Sequence, residues 1–245
     1  MSNKNFDLKE TWNIFKIKNF GILFLGQFVS KMGSAINTVG LSLYVLKFDN
    51  ALMGMGALSL LLVIPWIIFG PYAGVLADRH SKKTIIVLCD IARGILSILL
   101  FFVPNIGLFY MVILALTMFD VLFSPAIGGY ISFVVSKDDI TKANSLYSGA
   151  GELAYLVGPA VGGFLVATLG SGLVFVVNGI SFIVSGLSEL FITESGKVVK
   201  SDIEEKPKTS MKEELVEGFR YINKHRSLRF IIFFFAIASA GFGGY

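Results

Sequence analysis

Charge is scarce in this sequence. Only 16% of its 245 residues are Asp, Glu, Lys or Arg, against about 25% in an ordinary globular chain. With 54% hydrophobic residues and a mean hydropathy of +0.73, that scarcity excludes a disordered chain and a nucleic-acid binder. Cysteine is nearly absent. Cys89, the single one, cannot form an internal disulfide and lacks metal-site spacing, so it reads as a small apolar helix residue. Histidine is almost as rare. His80 and His225 lie far apart in polar stretches, so no metal site is expected. No nucleophile–base constellation or phosphate loop points to an enzyme, and no cofactor is implied.

Long apolar runs are present instead. A hydrocarbon core of about 30 Å needs about 20 apolar residues as helix. Six segments reach that length: Phe20–Leu46, Ala51–Leu76, Thr84–Val103, Ile106–Val135, Ala143–Leu169 and Gly172–Thr193. Short breaks with turn chemistry separate them at 47–50, 77–83, 104–105, 136–142 and 170–172. The runs are too long for strands and do not alternate, so an all-α membrane protein with a six-helix bundle is expected. Residues 1–19 are polar and mixed in charge, unlike a cleavable signal peptide.

Lys and Arg set the expected orientation. Lys4, Lys9, Lys16 and Lys18 precede the first span, Arg79, Lys82 and Lys83 follow the second, and Lys137 and Lys142 follow the fourth. The intervening loops contain only Lys47. The positive-inside rule predicts a multi-pass protein of the cell membrane whose N-terminus and 194–229 linker are cytoplasmic. Within that linker, Ser210 and Glu213 resemble a capping box, and Leu215, Phe219 and Ile222 recur at helical spacing. An amphipathic helix over Met211–His225 is predicted. Residues 230–245 form a further apolar run. At about 24 Å as helix it is short of a bilayer and reads as an incomplete seventh span.

Ionisable residues at bilayer depth are costly and attract functional readings. Lys31 lies about 16 Å into the first span. Gln27, Ser30, Lys31, Ser34 and Thr38, with Asn37, form one polar stripe and predict a face toward a water-filled cavity. Asp120 and Glu152 lie about 22 and 14 Å along spans four and five. A Lys31–Asp120–Glu152 charge group is expected, serving substrate or proton coupling or acting as a structural ion pair. Asp90 and Arg93 are an i, i+3 pair read as snorkelling or local pairing, and Glu189 is read as reaching water at the inner end of span six. Trp12 and Tyr44 suit membrane interfaces, and Trp66, beside Pro65, reads as packing, with substrate contact as the alternative.

Two motifs carry a family resemblance. Gly74, Asp78, Arg79, Ser81, Lys82 and Lys83 resemble the signature loop of the major facilitator superfamily. Gly151, Gly158, Pro159, Gly162 and Gly163 resemble its antiporter motif. The order of spans and motifs is similar to the macrolide-efflux and siderophore-exporter branch. The resemblance implies half of a twelve-helix fold, with a second six-helix half as partner. It also implies a protein seated in the lipid bilayer that uses alternating access and a proton gradient for efflux of an amphipathic drug-like or siderophore-like small molecule. Gly74 permits close helix approach, and Asp78 can cap a helix start or meet a helix dipole; in the family, the signature loop braces the two halves. A bend in span five governs opening. Gly33-Ser34 stands where many relatives carry Gly-Asp, so the acidic group of span one is absent. An importer, or a non-transporting membrane partner or regulatory module, remains the alternative.

Overall fold

The computed structural model describes residues 13–47, 51–193 and 196, and single positions at 220, 224, 225, 229, 230 and 234. The chain divides into two compact units, Met1–Lys197 and Val198–Tyr245. The first holds a short 3-10 turn, Ile14–Lys16, and six helices: α1 (Lys18–Val45), α2 (Ala51–Arg79), α3 (Lys82–Leu100), α4 (Ile106–Val134), α5 (Ile140–Leu169) and α6 (Ser171–Leu190). Each gap between helices overlaps a break read from turn chemistry, although α2 runs on to Arg79, α3 spans Lys82–Leu100 rather than Thr84–Val103, and α5 starts at Ile140. Ser81 caps α3 by accepting from the Thr84 amide, and Asn105 caps α4 by accepting from that of Leu108 at 2.8 Å. Gly170 joins α5 to α6 at φ 83°, a backbone conformation that suits glycine.

Four helices, α2, α4, α5 and α6, are each long and apolar enough to cross a membrane. In α1 and α3, polar residues interrupt the apolar run at one level of the bundle. Two apolar clusters flank that level. One contains Phe20, Leu23, Ile86, Cys89 and Tyr130, and the other Val45, Leu100, Phe109 and Phe175. Between them lie the buried polar residues Gln27, Ser30 and Asn37 of α1, Asp90, Arg93 and Ser97 of α3, and Asn178, Ser185 and Glu189 of α6.

Glycines bring the backbones together there. Gly26, Gly33 and Gly40, each seven residues apart on α1, face Ser185, Ser181 and Val174 of α6. On the opposite flank of α6, Gly179 and Gly186 abut Ile98 and Asp90 of α3. A third seam joins α1 to α5, where Gly151, Gly158 and Gly162 back onto Lys31, Ala35 and Ile36. Three glycines of the antiporter-like motif are therefore packing positions, whereas Gly163 faces open space and α5 continues as helix through Pro159.

In the second unit, Phe230 and Phe234 are helical and their rings stack at 6.4 Å. The expected amphipathic helix over 211–225 and incomplete span over 230–245 fall almost entirely outside the described residues.

Candidate functional site

The polar stripe of α1 divides between two environments. Gln27, Ser30 and Asn37 turn into the bundle, while Lys31 and Ser34 are half-buried and Thr38 is exposed. All six line a cavity of about 780 Å³, together with Leu58 and Trp66 of α2, Asp120 and Ser124 of α4, and Tyr147 and Tyr155 of α5. Arg93, Asn178 and Phe182 reach it from α3 and α6. The stripe therefore faces a cavity, as its spacing predicts. Trp66, read as packing with substrate contact as the alternative, lines that cavity and is 43% exposed.

The hydroxyls of this wall are satisfied by their own helix. Ser34 donates to the Ser30 carbonyl at 3.0 Å, Thr38 to that of Ser34 at 3.1 Å, and Ser42 to that of Thr38 at 3.0 Å. This back-bonding lets a polar stripe persist without a neighbouring side chain to accept its protons.

The expected Lys31–Asp120–Glu152 group does not close as a set of paired charges, although Glu152 lies near enough to act electrostatically on Lys31. Lys31 Nζ donates to the Tyr147 carbonyl at 2.7 Å and lies 3.3 Å from the centre of the Tyr147 ring. Among the described residues no ion pair joins Lys31 to Asp120 or Glu152. Asp120 accepts from Arg93 Nη1 at 2.7 Å instead. Helix phase explains the difference for Asp120, which faces α3, where the forked Arg93 reaches two carboxylates; Glu152 is exposed on α5 and makes no close pair with Lys31. Depth along a span does not encode this phase.

Arg93 organises a larger polar network. Its Nη2 donates to Asp90, its Nε donates to the Cys89 carbonyl at 3.3 Å, and its guanidinium lies over the rings of Phe123 and Phe182. The local Asp90–Arg93 pairing holds, but both side chains are buried rather than snorkelling. On the far side of Asp90, Gln27 Nε2 lies 2.9 Å from Asp90 Oδ2, 2.7 Å from Glu189 Oε1 and 3.1 Å from Ser185 Oγ. An amide nitrogen carries two protons, so it serves at most two of these acceptors at once.

Glu189 does not reach water as expected; it is 0% exposed. Side chains on a helix tilt toward its N-terminus, which carries this carboxyl away from the nearby helix end and into the bundle. Its Oε2 has no hydrogen-bond partner. The Gln27–Glu189 contact and the cavity positions of Tyr147 and Tyr155 were missed in the sequence. The available signal was Glu189, Ser185 and Asn178 recurring on one face of an otherwise apolar span.

The signature-like loop lies at the base of α3 and holds helices of this bundle to one another. Lys83 Nζ donates to the Leu190 and Ile192 carbonyls at 3.0 and 2.6 Å, capping the C-terminus of α6. Lys82 is buried against Gly129 of α4, with its Nζ 4.0 Å from Asp78. The cap of α3 is Ser81 rather than the expected Asp78, which is exposed, as is Arg79. Gly74 meets nothing within 4 Å, so the close approach expected there does not occur within this bundle.

Comparison with known proteins gives this arrangement a family. Residues 23–245 match the Major Facilitator Superfamily. The chain is 27% identical over 245 residues to the uncharacterized MFS-type transporter YkuC of Bacillus subtilis (strain 168), covering 95% of this chain and 56% of that protein. It is 26% identical over 208 residues to the uncharacterized MFS-type transporter YfiS of the same strain, covering 84% and 50%. Macrolide efflux protein A of Streptococcus pyogenes is 26% identical over 184 residues, covering 73% and 45%. The chain thus spans about half the length of these curated relatives. Six helices around a buried polar network, and a match that begins in α1 and runs through all of them, show that the chain belongs to the Major Facilitator Superfamily of membrane transporters.

Proposed function

We propose that this bundle forms one wall of a secondary active transporter that exports an amphipathic small molecule from the cell by alternating access, driven by a proton gradient. The cavity of about 780 Å³ carries this reading. It combines a cation at Lys31, an anion at Asp120, hydroxyls along α1, and the apolar or aromatic surfaces of Leu58, Trp66 and Tyr155. An amphipathic solute finds both of its needs met there. The name of one relative, macrolide efflux protein A, supports export of a drug-like compound, and the glycine-rich α5 supports the antiport direction.

A second six-helix half completes the pathway. Rocking of one half against the other exposes the cavity to each side of the membrane in turn. The exposed apolar faces of α2 and α5 supply surface for lipid and for that second half. The alternating Lys and Arg of the loops support a multi-pass place in the cell membrane, with the N-terminus and the 194–229 linker in the cytoplasm.

The test is accumulation of a fluorescent amphipathic compound in efflux-deficient cells that express the complete transporter. Accumulation should fall several-fold and recover when the proton gradient is collapsed. Increased accumulation would make the protein an importer. Unchanged accumulation across cationic, neutral and anionic compounds would refute transport of this class.

A further inference from the structure

Three carboxyl groups and one guanidinium make up the polar network of α1, α3, α4 and α6. Arg93 donates to Asp120, Asp90 and the Cys89 carbonyl, and among the described residues it makes no hydrogen bond to Glu189. Glu189 has the Gln27 amide at Oε1, with Ser185 Oγ 3.4 Å away, and nothing at Oε2. Asp90 Oδ2 lies 2.9 Å from the same amide nitrogen that lies 2.7 Å from Glu189 Oε1. The two carboxyl groups therefore sit side by side, each 0% exposed, with one cation already divided between Asp90 and the cavity. Two adjacent buried carboxylates that share one cation repel, and binding one proton relieves that repulsion.

We propose that Asp90 and Glu189 form a proton-binding site, and that the Arg93–Asp120 contact connects its occupancy to the cavity. The bound proton rests on Glu189, whose Oε2 faces no donor. The other groups around the pair are uncharged or already placed. Gln27 comes from α1, Cys89 and Arg93 from α3, Asp120 from α4, Tyr147 from α5 and Ser185 from α6 itself. Lys83 is held at the carbonyls that end α6.

Asp120, at 42% exposure, is the accessible end of the network. A cationic group of a solute that binds Asp120 competes with Arg93 for it. The released guanidinium then turns wholly to the buried pair, where a second carboxylate is now compensated. The O–H bond of Glu189 breaks and its proton passes to water in the cavity, which reaches Gln27 and Arg93. When the solute leaves, Arg93 returns to Asp120 and the pair takes a proton back from water. Solute and proton thus exclude one another. The use of this exchange for antiport rests on the proton-driven export reading; the proton site does not.

The test is infrared spectroscopy of the complete transporter in lipid nanodiscs, with Asp138→Asn in an exposed loop as control. The wild type and the control should show a protonated-carboxyl band at neutral pH that shifts in deuterated water. Glu189→Gln should lose it. Asp90→Asn, which leaves Glu189 without its like-charged neighbour, should lose it too and serves where Glu189→Gln does not fold. A cationic amphipathic compound such as tetraphenylphosphonium should reduce the band in wild type. A band that persists in folded Glu189→Gln, or no band in wild type, overturns the proton site. A band indifferent to tetraphenylphosphonium overturns the connection through Asp120. Efflux is measured separately. Loss of its gradient dependence in Glu189→Gln supports coupling at this site. A wild type whose efflux ignores the gradient overturns the proton-driven reading and leaves the infrared result standing.

Discussion

Replacing Gln27 by methionine keeps the length of the side chain and removes the amide that joins α1 to α3 and α6. The amide lies within hydrogen-bond distance of Asp90, Glu189 and Ser185, and its two protons can serve two of them. Asp90 keeps Arg93 after the change, so its loss is partial. Glu189 keeps only Ser185 Oγ, at 3.4 Å. One buried acceptor left unsatisfied costs about 1–3 kcal/mol. Hydrogen bonds between membrane helices average about 0.6 kcal/mol in mutant cycles, because the unfolded state in lipid also finds partners. We expect Gln27→Met to destabilise the bundle by about 1–2 kcal/mol, between those limits. The chain supplies its own probe, since Cys89 is its only cysteine and is fully buried. A thiol-reactive dye in detergent will label it as the bundle opens, and the labelling midpoint should fall on heating. Glu189→Met in the Gln27→Met background removes both partners, and stability should recover most of what was lost. Strictly additive single and double variants would refute the claim that Gln27 works through Glu189.

Gly158→Val should collide with Ala35 on α1 and cost about 1–3 kcal/mol in the same thermal assay, while Gly163→Ala should be neutral because nothing lies within 4 Å of that position. Lys83→Met should strip two carbonyls at the end of α6 of their donor, lowering stability by about 1 kcal/mol; an unchanged midpoint would deny the capping role. Lys31→Met should weaken binding of anionic compounds to the complete transporter more than binding of neutral ones, with normal expression; equal effects on both would remove Lys31 from recognition. After replacement of Cys89, cysteines introduced at Asn50 and Asn105 should label from outside the cell and those at His80, Ile140 and Glu205 from inside, and outside labelling of position 140 would contradict the orientation.

Much of the bundle was legible because bilayer thickness acts on chain length. Helices need a run of fixed minimum length, and the breaks at 104–105 and 170–172 carry turn residues that leave little choice of boundary. The cavity-facing stripe was legible for a similar reason, since a 3.6-residue period sorts Gln27 through Thr38 onto one side of α1. Partners were harder to find. Asp120 and Lys31 both lie well along their spans, yet their contacts depend on the rotation of α4 and α1, which span length does not encode. Gly33 of α1 rests on Ser181 and Asn178 of α6, a contact visible only when both helices are placed. Glu189 misled for a local reason: proximity to a helix end suggested solvent, whereas the tilt of helix side chains sends it inward.

The back-bonded hydroxyls of Ser34, Thr38 and Ser42 decide what kind of solute this face of α1 can greet. Each has spent its single proton on a carbonyl of the preceding turn, so only oxygen lone pairs remain turned outward. The strip is therefore a one-way surface. Ammonium, hydroxyl and amide N–H groups can settle against successive oxygens as they move along it, each contact resembling the next. Carboxylates, carbonyls and ethers meet lone pair with lone pair unless water intervenes. A solute with donors along one edge would find a track of near-equal footholds rather than one deep site, and such evenness favours passage over retention.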